Sequence, residues 1–337
     1  MPFQIIRNDI TKVKADIIVN TANPKPTFDG GVDSAIYEAA GKEKLLAERK
    51  KIGDIAPGEA AITPAFSLNA KYIIHTVGPT WKDGKHSELE TLKSCYEKSL
   101  DLALQNNCES IAFPLIATGV YGFPKDKALQ VATSVIQEFL FEHEMSITLV
   151  VFDRKAFELS GKVYSDVQEY ISENYVDLSM RCESMMRRSE RRVDTLSAPE
   201  ACPDESEMFD YSEESLDELL NSPAENFQEK LFSLIDNSGL DDVAVYKKAN
   251  ITKKVFSDIK TKKNYRPSKK TAVAFAIALE LSLDETVDLL QRAGMALSPS
   301  SKFDLIVRYY ISHGIYDMME INLTLFKNQQ ECLGAIQ

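Results

Sequence analysis

A chain of 337 residues that is 44% hydrophobic and 27% charged exceeds what one ordinary domain needs and has the make-up of a folded globular protein. Its formal charge of -12 at pH 7 argues against a chain that is basic throughout. Five cysteines, never spaced C-x-x-C, and four scattered histidines exclude a disulfide framework and a Cys/His metal cluster, so no metal is expected and a reducing cytoplasm fits. The opening MPFQIIRNDI lacks the pattern of a secretory signal, and the apolar stretch 272–279 is far too short to span a membrane.

The charge is unevenly spread. Residues 1–171 carry a net -4, residues 172–225 a net -10 and residues 226–337 a net +2. That asymmetry divides the chain into three parts.

In residues 1–171, short apolar β-branched runs at 3–6, 16–20, 60–63, 72–76, 110–114 and 148–152 read as strands. Between them, Leu89, Leu92, Tyr96, Leu100 and Ala103 recur at helical spacing, as do Leu129, Ala132, Val135, Ile136 and Phe139. Alternation of the two predicts a layered α/β domain with a largely buried sheet, whose ligands sit beyond the carboxyl ends of the strands. After ADIIVN, Asn20 and Asn23 flank a strand end, and Gly30-Gly31 precede a helix near Asp33. A second glycine-bearing loop, ATGVYGFP at 117–124, follows the strand SIAFP. Glycines before a helix let backbone N–H groups reach a phosphate, so two such loops suggest a diphosphate held between them. A lone Asp at a helix start is also an ordinary response to the helix dipole. His75, inside a strand, reads as a core or hydrogen-bonded histidine.

Residues 172–225 hold five arginines in RCESMMRRSERR and then an acidic, Ser/Pro-rich run, which predicts a flexible linker with a short helix around Leu216–Leu220. Residues 226–337 read as all helix. Phe227, Leu231, Leu234 and Ile235 form one stripe, two short helices flank a turn at Ile251, a helix follows Pro267, and Ser282-x-x-Glu285 is a capping box. A further helix begins at Phe303.

With these pieces in place, the first 171 residues resemble the macrodomain family. The matching segments are NDITKVKADIIVNTAN, GGVDSAIYEAAG, PGEAAITPAF, KYIIHTVGP and FPLIATGVYGFP, in the family's order. The resemblance implies a three-layer α/β/α domain with a mixed sheet that takes ADP-ribose or an ADP-ribosylated protein, without a cofactor. N-T-A-N followed ten residues later by Asp33 is most similar to the branch that hydrolyses ADP-ribose esters. Carried over, the resemblance implies Asp9 and Ile10 at the adenine and Phe152 stacked on it. It implies Gly30, Gly31 and Val32 in the first phosphate loop, and Thr118, Gly119, Val120 and Tyr121 in the second. Asn20 counts among the ADP-ribose-binding residues or simply ties down the loop, Asn23 would meet the distal ribose, and Asp33 would lie beside the scissile ester. Two features depart from the family pattern: PTFDGG stands for a longer glycine run, where Phe28 and Asp29 are expected to narrow or charge the entrance, and Tyr37 stands where many of these hydrolases carry His.

Residues 226–295 resemble the phage-repressor type of helix-turn-helix domain. That resemblance places the helix 252–260 in a major groove, with Lys253, Lys254 and Lys260 on phosphates or bases. Lysines are also ordinary surface residues, so DNA and protein partners both stay open. The helix from Phe303 offers a homodimerisation element. The expected whole is an α/β domain over 1–171, a flexible acidic linker over 172–225 and a small all-α helix-turn-helix-like domain over 226–337. The activity expected is hydrolysis of mono-ADP-ribosylated Asp/Glu or O-acetyl-ADP-ribose, and the alternative is a non-enzymatic ADP-ribose sensor or reader.

Overall fold

The structure, a computed structural model, describes residues 3–28, 30–152, 162–175, 225–263 and 265–334. Most of the acidic segment expected as a linker lies outside them, with the helix considered around Leu216–Leu220, and so does Asp29.

Six strands, β1 (Phe3–Arg7), β2 (Ile17–Thr21), β3 (Ala60–Pro64), β4 (Tyr72–Thr76), β5 (Ser110–Pro114) and β6 (Ser146–Val151), form one sheet in the order β1-β6-β5-β2-β4-β3. Every neighbouring pair is parallel except β3 with β4, so the sheet is mixed. The period of two sorts its side chains. Ile17 and Val19 face one apolar layer with the helices α3 (Glu88–Gln105) and α4 (Lys125–Glu142). Ile18, Ile73, Ala112 and Val150 face the other, against α1 (Gly31–Ala40) and Leu45 of α2 (Lys42–Ile52). Burial on both faces is why the strands read as continuous apolar runs.

A helix α5 (Lys162–Asn174) follows, with Val167 and Ile171 packed not on the sheet but in the apolar cluster of the C-terminal half. That half holds α6 (Phe227–Ser238), α7 (Asp242–Lys248), α8 (Lys253–Thr261), α9 (Lys269–Ala278), α10 (Leu283–Arg292), α11 (Lys302–Ser312) and α12 (Met318–Lys327). Side chains of Asn226 and Ser282 close capping boxes at α6 and α10. The centre is α9, buried from Thr271 to Ala278, where alanines let neighbouring helices approach closely.

The two halves meet along β1, an edge of the sheet. Asn250, in the left-handed conformation after α7, accepts from Phe3 N at 2.7 Å and donates to Phe3 O at 2.9 Å and Leu333 O at 3.1 Å. Phe326 of α12 joins the apolar layer of α3 and α4, with the Arg7 guanidinium 5.6 Å from its ring centre. Tyr246 of α7 donates to Glu144, just ahead of β6. No helix among the described residues is long and apolar enough to cross a membrane.

Candidate functional site

A cleft of about 540 Å³ opens at the carboxyl ends of β1, β2, β5 and β6, within the size range of small-molecule sites. Asp9, one residue beyond Asn8 at the end of β1, caps the short turn 10–12. Its Oδ1 accepts from Thr11 N at 3.0 Å and Thr11 Oγ1 at 2.7 Å. The Thr11 hydroxyl holds the Asp9 carboxyl below its usual range, against the opposing effect of burial. Ile10 and Phe152 complete this end of the cleft; Phe152 is 80% exposed, an aromatic face held out beyond β6.

Gly30, Gly31 and Val32 form one wall. Gly30 and Gly31 both have positive φ, 64° and 58°, which lets the chain turn from loop to α1 with its N-terminus aimed at the cleft. Thr118, Gly119, Val120 and Tyr121 form the opposite wall. A Cβ placed on Gly119 would meet no atom within 4 Å, so that position faces open space. The loop is braced from behind: Thr118 Oγ1 donates to Leu115 O at 2.9 Å, Phe123 N to Ala117 O at 3.0 Å and Trp81 N to Tyr121 O at 2.9 Å. Gly78 lets the segment after β4 lie against this loop, since a Cβ there would fall 2.8 Å from Ala117 Cβ.

Asp33 stands at the floor. It is 4% exposed, yet it lines the cleft. Asn20 Nδ2 donates to Asp33 Oδ1 at 2.7 Å, and Asn23 Nδ2 donates to Asp33 Oδ2 at 3.2 Å. Asn23 also lines the cleft. Asn20, expected among the binding residues, does not: strand β2 turns it away from the cleft, where it is fully buried behind Asp33 and reaches His75 Nδ1 at 3.2 Å. His75 Nε2 in turn lies 3.0 Å from Thr63 Oγ1. Burial pushes the His75 imidazole down to about 3, with the Arg49 charge acting the same way, so the ring is neutral.

Tyr37 is buried under α1 with its ring 5.0 Å from that of Phe28, and Lys42 Nζ sits 4.4 Å above Phe28. Phe28 therefore packs against Tyr37 and is not among the residues lining the cleft, contrary to the expected narrowing. Burial, then the Asp33 charge, push the Tyr37 hydroxyl up to about 12, against the opposing pull of Arg49. It keeps its proton at any ordinary pH.

Sequence reasoning missed Arg49 of α2. The guanidinium is 1% exposed and donates to the carbonyls of Gly53, Asn23 (3.3 Å) and Pro24 (3.2 Å). It fixes the backbone that carries Asn23. It also missed Lys125, the first residue of α4, which lines the cleft beside the second glycine loop. A cleft wall with a basic residue and two runs of backbone N–H groups suits a diphosphate, and the floor carboxylate can orient a water.

A cluster outside the cleft, Asp83, His86 and Glu88, has metal-like spacing. Its buried member is already committed: Glu88 accepts backbone N–H bonds from Lys82, Asp83, Gly84 and His86. Burial works to raise its carboxyl, but those amides hold it down to about 2. It therefore acts as a loop staple.

Lys253 and Lys254 are exposed on α8, whereas Lys260 pairs with Asp242 Oδ2 at 2.8 Å.

A model of the Macro domain family matches residues 19–132. A Macro domain-containing protein of Listeria monocytogenes is 46% identical over 170 residues, covering 48% of this chain and 97% of that protein. An O-acetyl-ADP-ribose deacetylase of Citrobacter rodentium is 50% identical over 139 residues, covering 40% of this chain and 78% of that protein. Among solved structures, the Oceanobacillus iheyensis macrodomain with ADP is 36% identical, over 50% of this chain and 90% of that one, with a TM-score of 0.44.

Proposed function

We propose, starting from the premise that this chain belongs to the macrodomain family, that its cleft binds ADP-ribose and hydrolyses ADP-ribose esters. One observation carries the hydrolytic part: Asp33 is pinned by two asparagine amides at the floor of a cleft walled by two glycine loops. The diphosphate lies between the loops, on the N-terminus of α1 and near Lys125. The adenine lies toward Asp9, Ile10 and Phe152, and the distal ribose meets Asn23. Asp33 orients a water and takes its proton as the water oxygen bonds to the acyl carbon. The bond from that carbon to the ribose oxygen breaks, and the ribose oxygen receives a proton. The products are the free acid and ADP-ribose. The substrate is mono-ADP-ribosylated Asp or Glu, or O-acetyl-ADP-ribose, the compound named for one relative.

The test incubates the full chain with a glutamate-ADP-ribosylated protein and, separately, with O-acetyl-ADP-ribose, and measures free ADP-ribose. Turnover of either, reduced on the order of 10²-fold in Asp33→Ala, supports the reading. Equal turnover in Asp33→Ala overturns the mechanism.

A second reading, a ligand sensor, draws on the contacts between the halves. The helical half holds β1 through Asn250 and Phe326 and meets the approach to β6 through Tyr246, and these strands carry the adenine end of the cleft. In that reading α7 and α8 act as a helix-turn-helix, with Lys253 and Lys254 on DNA, and ADP-ribose modulates the contact. ADP-ribose binding without turnover, together with duplex binding that changes when ADP-ribose is added, selects it. Counterion release then requires Lys253→Ala with Lys254→Ala to flatten the log–log salt slope by up to about two units.

A further inference from the structure

Behind the cleft floor is a row of groups that touches no ligand space. Asn20 ends its side chain there, fully buried, with two N–H groups and one oxygen to satisfy. Its two N–H groups meet two acceptors, Asp33 Oδ1 at 2.7 Å and His75 Nδ1 at 3.2 Å. Its oxygen has no hydrogen-bond partner. An unmet buried acceptor costs about 1–3 kcal/mol, so something must hold the amide in this orientation. Turning it over would set Oδ1 against the Asp33 carboxylate and aim both N–H groups at the position that offers no acceptor.

We propose that His75 is a positioning residue that locks this orientation: with its proton on Nε2, its bare Nδ1 obliges Asn20 to present Nδ2, not oxygen, to Asp33. Three strands fix the arrangement. Thr63 on β3 lies 3.0 Å from His75 Nε2, His75 sits on β4 in register with Asn20, and Asn20 sits on β2. Thr63 Oγ1 accepts the Nε2 proton, which leaves Nδ1 without one. Burial keeps the ring neutral, as the lowering of its pKa indicates. In the other tautomer, Nδ1–H would face the Asn20 amide, the amide would turn over, and Asp33 would lose one of its two asparagine donors. His75 thus acts on the water-orienting carboxylate through Asn20. The catalytic part of this inference rests on the hydrolase reading.

The experiment compares His75→Asn, which keeps an acceptor near the Nδ1 position, with His75→Leu, which fills the space without one. On O-acetyl-ADP-ribose, His75→Leu should lower kcat on the order of tenfold or more. Its KM and its calorimetric affinity for ADP-ribose should stay within about twofold of the parent. His75→Asn should recover most of the lost kcat. Nitrogen NMR of the full chain should show His75 with Nε2 protonated and Nδ1 bare. A protonated Nδ1, a His75→Leu chain with parental kcat, or equal losses in the two variants would overturn the proposal. If the parent turns over neither ester, the hydrolase reading falls, and the tautomer seen by NMR decides the lock alone. If His75→Leu does not fold, the tautomer and the kcat of His75→Asn decide it.

Discussion

The floor and the mouth of the cleft are built on opposite terms. At the floor, Asn20, His75 and Thr63 are buried and joined by hydrogen bonds, Arg49 is buried against the backbone that carries Asn23, and of the floor groups Asp33 and Asn23 reach the cleft. At the mouth, Val120 is 85% exposed and Phe152 80%, and the glycine loops offer backbone, not side chains. The floor holds its polar groups in place before any ligand arrives, so little reorganisation is needed when charge develops. The mouth supplies area and N–H groups, which set affinity. Substitutions at the floor should therefore change stability or turnover, and those at the mouth should change binding.

The largest effect expected is at Arg49. Arg49→Met removes the guanidinium from three backbone carbonyls, of which Pro24 O keeps a second donor, Ile55 N at 2.9 Å, while Asn23 O and Gly53 O lose theirs; denaturant titration should show a loss of about 3 kcal/mol. A chain as stable as the parent would mean that the floor is not held from below. Next comes Gly119→Glu. Its Cβ finds open space, so the fold should survive, while a carboxylate beside a diphosphate should weaken ADP-ribose binding on the order of 10²-fold by calorimetry. Unchanged affinity would move the diphosphate elsewhere. Phe152→Ala should cost about tenfold in affinity through lost stacking and leave kcat alone. A kcat effect there would break the division between mouth and floor.

Last comes an effect that is nil at neutral pH and grows only in acid. The folded His75 pKa, about 3, lies below the ordinary 6.5 of an unfolded histidine. Its contribution to stability is therefore complete above pH 6.5 and is lost as the pH falls from there through 3. His75→Asn lacks that titration, so its stability should fall less steeply than the parent's across that window.

Strands and glycine loops were legible in the sequence because their signals are local. A β-branched run buried on both faces looks like a strand whatever surrounds it, and Gly30-Gly31 marks a turn by its own chemistry. The helix α2 was not legible: KEKLLAERKKI carries little apolar periodicity, with Leu45 and Arg49 its buried residues. Arg49 itself stands in a basic run that reads as a solvated helix end, and only the fold brings three carbonyls to it. Asn20 and Asn23 looked alike in sequence, yet strand pleat turns one behind the floor and leaves the other in the cleft. Likewise α5 adjoins the sheet in sequence but packs with α11, and α12, unforeseen, returns to the sheet with Phe326.

That return governs how the sheet ends. An outermost strand shows a row of open N–H and C=O groups, a template on which a neighbouring molecule can add its own strand. Here Asn250 takes the outward pair of Phe3, and Cys332, in the segment after α12, lies 4.0 Å from Ile5 O. The helical half is in this sense a guard against aggregation, and a protein trimmed to its α/β half would bare that strand together with the apolar ground that Phe326 covers.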